Sequence, residues 1–195
     1  MKKIIITIGL LSMLGWTVYQ FVFSSNAIGN DDDGLEELVD DQNQNEQNSP
    51  DSDIKIGLDI GDRAPNFELA TLEGEVVSLS DYQGGPVMIN FWATWCPPCR
   101  AEMPDMEQLY QDTAIEILAV NLTQTEESEK QVREFVNEYE LTFPILMDMD
   151  IDVAMLYQIQ AIPTSIFLDA ERTIQFIAYS ALTYDQMTEV LEDIN

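Results

Sequence analysis

Cys96 and Cys99 stand three residues apart in NFWATWCPPCRAEMP, residues 90 to 104, and they are the only thiols in a chain of 195 residues that has no histidine. A thiol pair at this spacing can clip a metal, staple the chain, or open and close as a redox couple. A structural zinc site takes four ligands, typically two such pairs. One pair and no imidazole leave only a site shared between molecules. A crosslink across two residues closes almost no loop, so it removes little entropy from the unfolded chain. The redox couple fits its context best. Absence of histidine also excludes Ser–His–Asp and Cys–His catalysis. Proton transfer falls to carboxylates, thiols, tyrosines, lysines or water. No metal or other cofactor is expected.

The elements that must position this pair are readable on both sides of it. PVMINFWA, 86–93, is a continuous apolar run suited to a buried strand. Residues 97–112 place Met103, Met106, Leu109 and Tyr110 at helical spacing. A strand running into a helix puts Cys96 at the helix N-terminus, where unpaired N–H groups and the macrodipole favour a thiolate. Cys96 is expected to be the exposed nucleophile. Cys99, one turn in and more buried, is expected to resolve the mixed disulfide. Pro97 and Pro98 suit a first helical turn, where a missing N–H costs least. Neither can donate to the Cys96 sulfur, so the two prolines tune the couple. Pro104 is expected to kink or break the helix.

Further along, FELATLEGEVVSLSDY reads as two short strands around Glu73-Gly74-Glu75. IEILAVNL, 115–122, is a second buried strand. Residues 126–140 read as a helix with Val132, Phe135, Val136 and Tyr139 on one face. FPILMD is a short extended piece and DVAMLYQI a short helix. TSIFLDAERTIQFIAY is a hairpin turning at 169–172, and Thr183 caps a last amphipathic helix. The expected class is α/β, a mixed central sheet flanked by helices.

The first 23 residues place Lys2 and Lys3 ahead of an uncharged run from Ile4 to Phe23. Twenty residues at about 1.5 Å each match a hydrocarbon core of about 30 Å. Trp16, Tyr19 and Phe23 gather toward the far end, and the lysines favour an inside N-terminus. Residues 1–23 are expected to be an uncleaved membrane anchor. Cleavage near SNA, 25–27, is the alternative, although the run exceeds an ordinary signal h-region. Residues 24–53 carry ten acids and no base and read as an acidic disordered linker. The folded domain is expected at 54–195, on the extracytoplasmic side of a bacterial cell membrane crossed once. The chain holds 36 acids against 8 bases, net −28, which argues against nucleic-acid binding and for a solvated acidic surface.

FWATWCPPCRAEMP resembles the active-site segment of thioredoxin-fold proteins, most of all the membrane-anchored ResA/TlpA-like thiol–disulfide oxidoreductases related to the AhpC/TSA group. The resemblance covers about 56–195 and includes GDRAPNFEL, the LxGxxVSLSDYxG phrase at 72–84, and IPTSIFLD at 162–169. It implies a thioredoxin fold with an N-terminal β-hairpin and a helix–strand insertion within 123–148. It implies a redox-active Cys96–Cys99 disulfide, faced by a cis Pro163 after Ile162 that binds the substrate strand. Trp95, Pro97, Pro98 and Ile162 would contact the substrate. Ordinary thioredoxin has a buried aspartate where this chain has Asn90. ResA-like proteins carry a glutamate three residues after the second cysteine, which is Glu102 here, a candidate proton carrier. Against that stands a solvated first-turn acid favoured by the dipole.

The implied activity is reduction of disulfides in exported proteins, such as apocytochrome c or envelope and spore proteins, with a membrane thiol transporter as electron donor. Three other readings stay open. The chain could be a disulfide-forming oxidase, a thiol peroxidase of the peroxiredoxin type, or a tethered binding module with a vestigial disulfide.

Overall fold

The computed structural model describes residues 55–194. The anchor expected at 1–23 and the linker expected at 24–53 lie outside the described residues. Among the described residues no helix is long and apolar enough to cross a membrane.

The chain opens with an antiparallel hairpin, β1 (Glu68–Ala70) and β2 (Val76–Ser78). It turns through Gly74 at φ +91, a conformation that glycine adopts without steric cost. β3 (Val87–Trp92) follows, buried at all six positions as its unbroken apolar run demands. Next come helix α1 (Pro97–Asp112), β4 (Glu116–Asn121), α2 (Glu129–Glu138), β5 (Ile145–Met147) and α3 (Asp152–Leu156). The hairpin β6 (Thr164–Leu168) and β7 (Ile174–Ala178) and helix α4 (Tyr184–Ile194) complete the chain.

The five long-range strands form one mixed sheet in the order β5-β4-β3-β6-β7. β4 runs parallel to both β3 and β5, while β6 is antiparallel to β3 and β7. The first hairpin lies along β5 through the Leu72 N–H to Ile145 carbonyl bond, 2.9 Å. That contact covers one edge of the sheet, where unpaired backbone groups would otherwise invite pairing with another chain. The expected hairpin and helix–strand insertion are both present, the latter as α2 and β5.

Strand parity sorts the core into two layers. Met88 and Trp92 of β3 pack with Met103, Met106 and Leu109 of α1, Val132 and Phe135 of α2, and Met187 and Leu191 of α4. Val87, Ile89 and Phe91 join Phe67, Leu79, Tyr157 and Ile166 on the opposite face. Asn90 shares the parity of Met88 and Trp92, so it faces α1.

Trp92 is fully buried, its ring 5.1 Å from that of Phe135. Truncation there would open a large cavity under α2. Trp92→Ala is expected to cost about 3–5 kcal/mol, read as a lower denaturant midpoint with an unchanged slope.

Two element boundaries differ from expectation. α2 starts at Glu129, not 126, because Thr123–Thr125 form a 3₁₀ turn and Ser128 accepts from the Gln131 N–H at 3.3 Å. α1 continues through Pro104 to Asp112, so that proline does not end the helix. Thr183 caps α4 as expected. Its hydroxyl accepts from the Gln186 N–H at 3.4 Å, and the Gln186 side chain accepts from the Thr183 N–H at 2.9 Å.

Candidate active site

Cys96 is the N-cap of α1, with extended backbone at φ −86, ψ 109, and Pro97 and Pro98 fill the first helical positions. Prolines there leave Cys99 as the first residue of the helix with an N–H to give. It points at Cys96: the Cys99 N–H donates to Cys96 Sγ at 3.3 Å. Cys96 and Cys99 are joined in a disulfide with Cα atoms 5.3 Å apart. The sulfur at the helix end therefore has one amide donor where a proline-free turn would offer more.

The disulfide is covered. Cys96 is 2% exposed and Cys99 is fully buried. This corrects the expectation of an exposed Cys96. The cover comes from the loop before β6, where the Ile162–Pro163 bond is cis and the Ile162 carbonyl oxygen lies 3.7 Å from Cys96 Sγ. Around this point Trp95 is half-exposed, 53%, its indole N–H donating to Thr125 Oγ1 at 3.0 Å. Pro97 and Pro98 are exposed, while Ile162 is partly buried and Pro163 buried. These residues make a largely apolar surface around Cys96. Beside Cys96 the Ile162 carbonyl oxygen is present and Pro163 has no N–H, an edge to which an extended peptide can donate.

Below the disulfide, Cys99, Glu102, Met103, Met106 and Leu109 make the buried stripe of α1. Glu102 lies one turn beyond Cys99 on that stripe and is 1% exposed. The solvated alternative is thereby removed. Its Oε1 accepts from Asn90 Nδ2 at 2.9 Å, and its Oε2 accepts from the Leu182 N–H at 3.1 Å. Asn90 also donates to Ser165 Oγ at 2.9 Å, its register partner across β3 and β6. The buried Asn90 Oδ1 accepts nothing. Burial pushes the Glu102 carboxyl up to about 7; the two hydrogen bonds pull it down, and Asp105 adds a small upward push. A carboxyl so poised exchanges its proton near neutral pH, close to a thiol that must lose one.

Sequence reasoning missed one part of this centre. The Glu126 carboxylate accepts from the Thr94 N–H at 2.7 Å, from the Thr94 hydroxyl and from Asn121 Nδ2 at 2.8 Å. Nothing in the spacing of residues 94 and 126 signals the contact. Among the described residues no cluster of histidine, cysteine or carboxylates could hold a metal ion.

A buried CxxC disulfide at the strand-to-helix turn of a mixed sheet, faced by a cis proline, is the centre of a thioredoxin-fold thiol–disulfide oxidoreductase. The chain belongs to the AhpC/TSA family, whose profile matches residues 60–177, and is similar to its ResA-like members. The thioredoxin-like protein YneN of Bacillus subtilis is 45% identical over 140 residues, 71% of this chain and 82% of that protein. The thiol–disulfide oxidoreductase ResA of Oceanobacillus iheyensis is 44% identical over 142 residues, 69% of this chain and 72% of that one. Among solved structures, StoA from Bacillus subtilis superposes with a TM-score of 0.58 at 31% identity, covering 65% of this chain and 96% of that chain. A thiol:disulfide interchange protein DsbE from Chlorobium tepidum gives 0.63 at 29% identity, covering 71% and 99%.

Proposed function

We propose that this chain is a membrane-tethered extracytoplasmic reductant that opens disulfides in exported proteins, with apocytochrome c or envelope and spore proteins as the substrate class. The Cys96 thiolate attacks a substrate disulfide. One substrate sulfur leaves as a thiolate and takes a proton from water, and a mixed disulfide remains on Cys96. Glu102, ionised, takes the proton of Cys99. The Cys99 thiolate then attacks Cys96 Sγ, the second substrate thiolate departs, and the Cys96–Cys99 disulfide reforms. The departing thiolate takes the proton that Glu102 holds, so two electrons and two protons, one of them by way of water, have reached the substrate. A membrane thiol transporter returns the couple to the dithiol. Trp95, Pro97, Pro98, Ile162 and Pro163 form the surface that receives the substrate strand. Residues 4–23 are the anchor, and 24–53 hold the domain off the bilayer.

The observation that carries the direction of flow is the lone amide donor to Cys96. A thiolate with few donors is poorly stabilised, so the dithiol gives up its electrons more readily. The potential of the Cys96–Cys99 couple, measured against glutathione or dithiothreitol buffers, tests this. It is expected nearer the thioredoxin value of about −270 mV than the DsbA value of about −120 mV. A value near the latter would make the chain an oxidase and overturn the reading.

A further inference from the structure

The turn Ala93–Cys96, which delivers the nucleophile from β3 to α1, is tied down residue by residue. The Cys96 N–H donates to the Ala93 carbonyl at 3.2 Å. The Thr94 carbonyl accepts from the Arg100 guanidinium at 3.3 Å. The Thr94 N–H and hydroxyl both donate to the Glu126 carboxylate, and the Trp95 indole donates to Thr125. Three of these five bonds come from the short segment after β4.

That segment is itself braced. Asn121 ends β4; its Oδ1 accepts from the Thr123 hydroxyl at 3.1 Å, which turns its Nδ2 toward Glu126 at 2.8 Å. The Leu122 N–H donates to the Trp92 carbonyl at 2.9 Å. Arg100 is held from the other side, its guanidinium 5.1 Å and 5.4 Å from the ring centres of Phe135 and Tyr139. Thr94 thus has an anion at its N–H and a cation at its carbonyl. Both bonds are charge-assisted and so stronger than neutral ones.

We propose that Glu126 is a positioning residue for Cys96, holding the Thr94–Trp95 turn and thereby setting the acidity of the thiol and the dithiol–disulfide equilibrium. The proposal rests on the redox reading above. Glu126 acts in two ways. It consumes the Thr94 N–H, which would otherwise be free to turn toward a sulfur anion, and it places a negative charge beside the turn that carries that anion. The other titratable groups around Cys96 are Arg100, Cys99 and Glu102 on α1. The Ile162–Pro163 loop contributes a neutral carbonyl, and the rings of Phe135 in α2 and Tyr139 at its C-terminal end lie against Arg100. Glu126 is therefore the carboxylate that opposes Arg100 and the helix N-terminus at this turn.

Two variants separate charge from reach. Glu126→Gln keeps a carbonyl oxygen for the Thr94 N–H and removes the charge. Glu126→Ala removes both. In Glu126→Gln the pH midpoint of Cys96 alkylation by iodoacetamide in the reduced protein is expected to fall. The equilibrium with a dithiothreitol buffer is expected to shift about tenfold toward the dithiol, which is about 30 mV. In Glu126→Ala the rate of exchange with a disulfide peptide is expected to fall as well. Both variants keeping the parental midpoint and equilibrium constant, with only the melting temperature lowered, would overturn the proposal. A parental protein that fails to cycle between disulfide and dithiol would instead sink the redox reading, so the two failures are distinguishable.

Discussion

Cys99→Ser is expected to stop the reaction half-way, leaving the substrate covalently attached to Cys96. The first attack needs only the Cys96 thiolate at the end of α1. The second needs a nucleophile one turn further in, and serine does not attack a disulfide under these conditions. The mixed disulfide then decays only through an outside thiol, which must reach a residue that is 2% exposed in the Cys96–Cys99 disulfide state. Turnover is expected to drop by about three orders of magnitude or more, because the intermediate has lost the partner that splits it. Non-reducing electrophoresis followed by mass spectrometry reads the adduct. Cys96→Ser in the same background must abolish it. Adducts that persist without Cys96, or none at all with it, would contradict the assignment of attacking and resolving thiols.

Glu102→Gln has the next largest expected effect, and it is a function of pH. The Glu102 carboxyl stands at about 7 against a reference of 4.5 because burial disfavours its charge. Above that point it is ionised and able to take the Cys99 proton; below it, it is occupied. The rate of resolution should therefore rise through an inflection near pH 7 in the parent. Glutamine removes the base, at an expected loss of about 10²-fold near pH 8, with a smaller gap below pH 6. Stability carries the opposite signature. Between 4.5 and about 7 the folded state keeps a proton that the unfolded chain has released, so stability falls as pH rises. The full loss is about 3 kcal/mol, absent below 4.5 and complete above the folded value. Denaturant titrations of Glu102→Gln should lack that slope. Superimposable pH profiles for rate and stability would show that the carboxylate is a bystander.

How much of this was legible beforehand depends on whether the signal was local. The start of α1 was readable because Pro97 and Pro98 can only be first-turn residues. Its inner stripe was readable from Met103, Met106 and Leu109. Glu102 lies on that same stripe, three residues after Cys99. A charged residue near a helix N-terminus is just as compatible with solvent, and only the packing of α4's leading loop, through Leu182, decides between them. Asn90 could not be assigned a face, because a strand buried on both sides shows no alternation. The cover over Cys96 comes from Ile162 and Pro163, sixty-six residues away, and so left no trace in the spacing around the cysteines. The amphipathic pattern of 126–140 draws Glu126 into a helix, yet Ser128 caps that helix two residues later and leaves Glu126 to reach Thr94. The missed signal was the pair Ser128 and Gln131, a helix-start signature that the wider periodicity overrode.

The covering of Cys96 beside the Ile162 carbonyl has a consequence for selectivity that is separate from any potential. A nucleophile opens a disulfide by approaching along the sulfur–sulfur axis, and Cys96, the residue it must reach, is 2% exposed with the Ile162 carbonyl oxygen 3.7 Å from its sulfur. A freely diffusing thiol has little to hold it there. An extended chain that hydrogen-bonded to the Ile162 carbonyl would be held beside the same sulfur. Traffic through the couple is thus sorted by shape before thermodynamics is consulted. A couple covered in this way is expected to exchange more slowly with glutathione than with a disulfide peptide of equal driving force, a difference that the two exchange rates would read.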